Sequence, residues 1–315
     1  MTTTSRLPGL LAGSAPFVLA AAGIASPAKA QDAPSAPDLM VVPNETTDSD
    51  QIIDTEGEFD GVGMFFRADG SVCTGSLINP RTVLFAAHCV NDRNASEYGP
   101  DGLPAAWSFN VDALPGFQDW FANAFTSNPD LAVFNVSQIQ YDPRSLANPA
   151  AGGFIEADIA LATLDTPAAD IPTWALLFSP LPDPGAIDPV TGTGYFVDIA
   201  GYGGTGTATT GASFGIDFRR RAAENILGGF FSIDDRNAVL FGPGPDVVPQ
   251  NLYFTDFDAQ DRNSPEAFFD INVSRDDARP NEGTTAGGDS GGPLILDADT
   301  NALTDEDLVI GLLSG

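Results

Sequence analysis

Three residues of this chain could together carry out covalent chemistry, and they lie far apart in sequence. Ser290 stands in Gly287-Gly288-Asp289-Ser290-Gly291-Gly292-Pro293. The flanking glycines let the backbone turn sharply and let a substrate come close, as a hydroxyl nucleophile requires. The single histidine, His88, lies in Leu84-Phe85-Ala86-Ala87-His88-Cys89, and Asp158 lies between the two in Ala157-Asp158-Ile159-Ala160-Leu161. A serine hydroxyl is a weak nucleophile until a base takes its proton, and an imidazole serves best when a carboxylate fixes its tautomer. Serine, base and orienting acid point to acyl transfer.

The elements that must position these residues read as short strands. Gly61 to Arg67, the Ala68-Asp69-Gly70 turn and Ser71 to Ile78 form a β-hairpin by their Asp-Gly turn and flanking apolar residues. Thr82 to Ala86, a β-branched and aromatic run, delivers His88. Residues 91–130 read as long loops around one strand near Ala106 to Val111, and Leu131 to Tyr141 is a further strand. Asp158 opens the next, through Leu164. Pro167, Pro172, Pro180, Pro182, Pro184 and Pro189 mark a connection, because proline denies donors to a sheet. Later strands are expected at Phe214 to Leu227, Ala238 to Phe241, Leu252 to Phe257, Pro293 to Leu296 and Leu308 to Leu313. Many turn residues and no sustained helical period imply all-β architecture. Arg219-Arg220-Arg221 reads as an exposed strand edge kept soluble by charge.

Gly288 to Gly292 also fits the GxSxG elbow of the α/β-hydrolases. That fold needs its acid and histidine after the serine, and no histidine follows Ser290. The order His, Asp, Ser, with Cys73-Thr74-Gly75-Ser76-Leu77-Ile78, Ala86-Ala87-His88-Cys89, Ala157-Asp158-Ile159-Ala160-Leu161 and the Gly288 to Pro293 run, instead resembles the trypsin-like, chymotrypsin-fold serine proteases. A looser resemblance is to secreted bacterial members that are autotransporter passengers. The resemblance implies two six-stranded antiparallel Greek-key barrels, the second truncated at its C-terminus. It implies a secreted serine endopeptidase that hydrolyses peptide bonds through an acyl-enzyme, with Ser290 as nucleophile, His88 as general base and then acid, and Asp158 as orienting carboxylate. The amides of Gly288 and Ser290 would form the oxyanion hole. Thr284 would lie at the base of the substrate pocket and Leu308 to Ser314 along one wall. No acid stands at 284, so a small or medium uncharged side chain is expected before the scissile bond. In the family a freed N-terminal amine commonly pairs with the aspartate before the nucleophile, here Asp289. No matching start is evident, and Arg279 is the expected internal partner. The rival is an adhesive or binding passenger that keeps the fold with little or only self-directed proteolysis.

Residues 1–30 read as a signal peptide: Arg6, the apolar stretch Leu10 to Ala25, and Ala28-Lys29-Ala30 with cleavage after Ala30. Residues 31–56, rich in Asp, Glu, Pro, Ser and Thr, read as a mobile acidic leader. The first barrel is placed at 57–166, the Pro-rich linker at 167–190 and the second barrel at 191–315. The two cysteines, Cys73 and Cys89, read as a disulfide in an exported chain, tying a strand to the histidine turn.

The 315 residues, 43% hydrophobic, can fill a sizeable core. The net charge of -30 repels phosphates and anionic lipid heads, which excludes nucleic acid and membrane lipid as partners and leaves protein or peptide substrates. The chemistry calls for no cofactor. Asp297, Asp299, Asn301 and Asp305 are spaced as in a calcium loop, but Ala302 and Leu308 stand where a glycine and a bidentate glutamate belong, so a hairpin turn is expected.

Overall fold

The computed structural model describes residues 41–44, 47–146, 157–186, 188, 190–232, 252–258 and 278–314. The signal peptide and the strand expected at Ala238 to Phe241 lie outside the described residues. A first short strand, β1 (Val41–Pro43), is followed by six that close into a barrel: β2 (Val62–Arg67), β3 (Val72–Asn79), β4 (Thr82–Phe85), β5 (Ala105–Ser108), β6 (Val133–Tyr141) and β7 (Ala160–Leu164). They run in the order β2-β3-β4-β7-β6-β5, with β5 pairing back onto β2 and every pairing antiparallel. Closure removes both sheet edges and encloses the side chains that alternate inward. Phe65, Phe85 and Trp107 meet there, with ring centroids 5.0–5.4 Å apart. Gly75 makes room for them, since a Cβ at that position would lie 2.6 Å from the Trp107 ring.

The expected hairpin and the strands that follow it form as read, but the loop reading of 91–130 needs one correction. It contains a helix, α1 (Leu114–Ala122). Pro115 and Gly116 in the first turn hide it from propensity, although proline is tolerated there because those amides lack helical partners anyway. Packing decides instead: Phe117 and Trp120 are buried, and the Trp120 indole donates to Asn135 Oδ1 at 2.7 Å.

The second half is less regular. Its strands are β8 (Ala175–Leu176), β9 (Phe196–Gly201), β10 (Gly204–Thr207), β11 (Gly211–Ile216), β12 (Arg221–Ile226), β13 (Gly229–Phe231), β14 (Leu252–Phe254), β15 (Gly283–Thr285), β16 (Pro293–Leu296) and β17 (Leu308–Leu312). Five of them form a sheet in the order β12-β9-β16-β17-β8. Its core is Val197, Ile199, Ala223, Leu227, Leu294 and Leu296, with Ile52 added from the N-terminal side. The other strands pair in two-stranded ladders, β10-β11, β13-β14 and β1-β15, so among the described residues this half is not a second closed barrel. β8 lies within the proline-rich stretch and joins the sheet edge in parallel to β17. The calcium-like spacing falls on the β16-β17 turn, where Asp297 Oδ1 accepts the Asp299 amide and Asp307 Oδ1 the Ala298 amide.

Two further expectations fail together. The described part of the acidic leader is docked: β1 pairs with β15, Ile52 is buried, and Asp54 accepts the amides of Glu58 and Phe59. The arginine run is not an exposed edge. Arg219 is exposed, but Arg220 and Arg221 are buried. Arg220 pairs with Asp54 at 2.8 Å and Asp60 at 2.5 Å, and Arg221 with Asp217 at 2.7 Å. Asp54 of the leader, together with Asp60 and Asp217 beyond it, therefore serves as a counter-ion for the buried guanidinium groups, a pairing that a desolvated charge requires.

Candidate active site

His88 is placed by the end of β4. Ala86 and Ala87 are buried without exposure, and a short 3-10 turn, Ala87–Cys89, presents the ring. A disulfide between Cys73 and Cys89 fastens this turn to β3. Arg67, buried on β2, holds it from the other side, donating to the Cys89 carbonyl at 3.0 Å while pairing with Asp69 and Asp92. Ala157 has a left-handed backbone (φ 55°) just ahead of Asp158.

The Asp158 carboxylate grips the histidine twice. Oδ1 accepts the His88 amide at 2.8 Å, and Oδ2 lies 2.7 Å from Nδ1 of the ring. The side chain is 7% exposed, and burial alone would push its pKa up. Hydrogen bonds from the His88 ring, Ser314 and the His88 amide outweigh burial and hold it below the usual carboxylate range. An ionised carboxylate facing Nδ1 makes that nitrogen the protonated one and leaves Nε2 with a free lone pair.

Ser290 is placed by backbone. Asp289, fully buried, accepts the amides of Gly203 and Ala286 at 2.7 Å each. Gly201 and Gly203 press against it so closely that a Cβ would lie 2.0 and 2.4 Å from its carboxylate oxygens. Gly288 has φ +106°, a conformation that glycine adopts without strain. Thr74 on β3 ties this loop to the barrel, its hydroxyl donating to the Gly288 carbonyl and its amide to the Ser290 carbonyl, both at 2.9 Å. Cys89 Sγ lies 3.7 Å from that Ser290 oxygen, so the histidine turn and the serine loop are neighbours. Gly291 abuts the Ala86 amide, where a Cβ would come to 2.5 Å. Among the described residues, the Gly288 and Ser290 amides donate to no protein acceptor, and the half-buried Ser290 hydroxyl makes no hydrogen bond.

Of the other expected residues, Ser314 is brought to the acid and Thr284 lies in the β1-β15 ladder, six residues before the serine. Leu313 exchanges backbone hydrogen bonds with Gly291 and Gly292 at 2.7 and 2.9 Å, which carries Ser314 to Asp158, where its hydroxyl donates to Oδ2. Ser314, expected along a substrate wall, thus has its hydroxyl on the acid. Thr284 is half-buried on β15, opposite Val42. Arg279, expected beside Asp289, pairs with Glu224 at 3.1 Å and lies over the Phe196 ring at 4.5 Å. Reading the motifs alone missed Thr74, although it stands inside the quoted cysteine strand, and the buried arginines, whose run of three reads as surface.

No curated protein matches the chain. Residues 55–203 match the family model described as Trypsin, a stretch that holds the closed barrel, His88, Asp158 and the Gly201 to Gly203 turn but ends before Ser290. Where that match and the His88–Asp158 geometry coincide, they support a trypsin-like serine peptidase.

Proposed function

We propose that the protein is an exported serine endopeptidase. The observation that carries this reading is the double grip of Asp158 on the amide and ring of the chain's single histidine, within the stretch matched to the Trypsin family. In the proposed cycle Nε2 of His88 takes the Ser290 proton as Oγ attacks the scissile carbonyl. The Gly288 and Ser290 amides receive the oxyanion, and His88 returns the proton to the leaving amine. Water then repeats the sequence on the acyl-enzyme. Asp158 keeps the ring oriented and stabilises the imidazolium, and each oxyanion donor contributes ~3 kcal/mol of transition-state stabilisation.

Export is supported by the signal-like residues 1–30, cleaved after Ala30, and by a disulfide, which persists in oxidising compartments. The acidic surface favours protein or peptide substrates over nucleic acid or anionic lipid. With threonine at 284, the preferred residue before the cleaved bond is small or medium and uncharged, and faster cleavage after Arg than after Ala, Val or Leu would refute that preference. The test of the activity is labelling by a fluorophosphonate probe together with casein turnover. Both are expected in the wild type and absent in Ser290→Ala. A well-folded protein that shows neither is a binding module.

A further inference from the structure

Arg220 has no part in the proposed chemistry, yet its fully buried side chain joins several segments around it. Nε donates to Asp54 Oδ2 at 2.8 Å and Nη2 to Asp60 Oδ1 at 2.5 Å. Nη1 donates to the carbonyls of Val62 and Phe109 at 3.1 and 3.0 Å, and its contact with the Tyr202 hydroxyl is 3.4 Å. The backbone is held as well, since the Arg220 amide donates to the Val111 carbonyl and the Arg220 carbonyl accepts the Asp54 amide. One residue thus fastens the N-terminal segment, the start of β2 and the chain beyond β5 to the turn after β9.

That turn leads to the serine loop by two short routes. The amide of Gly203, next to Tyr202, donates to Asp289 at 2.7 Å. The Tyr202 amide donates to the Thr74 hydroxyl at 3.1 Å, and that hydroxyl donates to the Gly288 carbonyl. In addition, β12 begins one residue after Arg220 and pairs Arg221 with Gly201.

We propose that Arg220 is a positioning residue for the loop bearing the Gly288 and Ser290 amides, acting through the Gly201 to Gly203 turn. The functional value of that positioning rests on the reading of Ser290 as nucleophile; the contacts themselves do not. A planar fork is needed, because an ammonium group cannot reach Asp54, Asp60 and two carbonyls at once. Loss of the cation also leaves the Asp54 carboxylate, 3% exposed, without its charge partner.

Amide hydrogen exchange on the full chain tests this, with peptide turnover measured in parallel on active-site-titrated enzyme. In Arg220→Met, exchange is expected to accelerate by about tenfold or more in peptides covering residues 52–60 and also in those covering 286–292. The kcat is expected to fall while KM changes little, and Arg220→Lys should fall between Met and wild type on both readouts. Acceleration confined to residues 52–60, with 286–292 as protected as in the wild type, overturns the proposal. Should Arg220→Met fail to fold, Asp60→Asn, which removes a half-exposed partner, carries the same comparison. A wild type without turnover refutes the protease reading, whereas the exchange comparison still decides the role of Arg220.

Discussion

The histidine wall and the serine wall of the site are built by different means. On the histidine side, side chains do the placing: a carboxylate on a ring, a disulfide behind it, and an aromatic core inside a closed barrel. On the serine side the backbone does it: amides held on a buried carboxylate, glycines packed where no side chain fits, and an open sheet behind them. The difference separates two kinds of fragility. Where side chains aim the group, removing one erases chemistry and spares the scaffold; where backbone aims it, an added methyl group disturbs both.

The strongest test of that contrast is Asp158→Asn. An amide can keep the His88 N–H contact through its oxygen but presents an NH2 group toward Nδ1, favouring the wrong tautomer. The kcat/KM is expected to drop by about 10⁴-fold with the melting temperature almost unchanged. A large loss of stability would show that the histidine side is not merely aimed by its side chains.

Next in size is Gly203→Ala, which drives a Cβ to within 2.4 Å of an Asp289 oxygen. Displacement of the amide pair is expected to lower kcat by about 10²- to 10³-fold, as loss of an oxyanion donor does. The melting temperature should fall too, and a variant impaired in only one of the two measures would break the contrast from the serine side.

Replacing Cys73 and Cys89 together by Ala should cost ~3 kcal/mol in denaturant unfolding under the chain-entropy model, with kcat of the folded protein retained. A loss of kcat at unchanged stability would move the bridge from scaffold to positioning.

The smallest expected effect concerns pH. The Asp198 carboxyl, on β9, is pushed up to about 7, by burial first and then by the carboxylates of Asp297, Glu224, Asp307 and Glu58. Glu282 is pushed up to about 8 by burial, with Asp258 and Asp256 adding to the shift and two backbone amides opposing it. A carboxyl whose folded pKa exceeds its unfolded one contributes stability below the unfolded value, and that contribution is lost as pH rises through the folded value. Melting temperature should therefore decline between about pH 4 and pH 8 from these groups. Asp198→Asn should match the wild type near pH 4 and exceed it near pH 8, by ~2–4 °C for each kcal/mol regained. Parallel pH profiles of the two proteins would refute this.

The same contrast governs what could be read from sequence. The barrel strands were legible because apolar, β-branched and aromatic runs are punctuated by turns carrying Asp-Gly or Asn-Pro, and Cys73 and Cys89 fell where the histidine loop needed a tether. The His88–Asp158 pair followed from motif order. The buried role of Arg220 was hidden, because a run of three arginines looks solvated when the acids that neutralise Arg220, Asp54 and Asp60, lie more than 150 residues earlier. Asp54 was hidden for the same reason inside an acidic stretch. Helix α1 was obscured by Pro115 and Gly116, and the open sheet by short ladders whose partners only the folded chain brings together.

One such ladder governs when the molecule can be finished. Val41 pairs with Thr285, so its partner leaves the ribosome about 240 positions later, shortly before Ser290 itself. Contacts this distant in sequence form slowly, because loop closure has to precede any gain from pairing. A growing chain thus carries its histidine long before it has anything for that histidine to activate. The serine wall can therefore be assembled only once Thr285 and Ser290 have been made, long after His88.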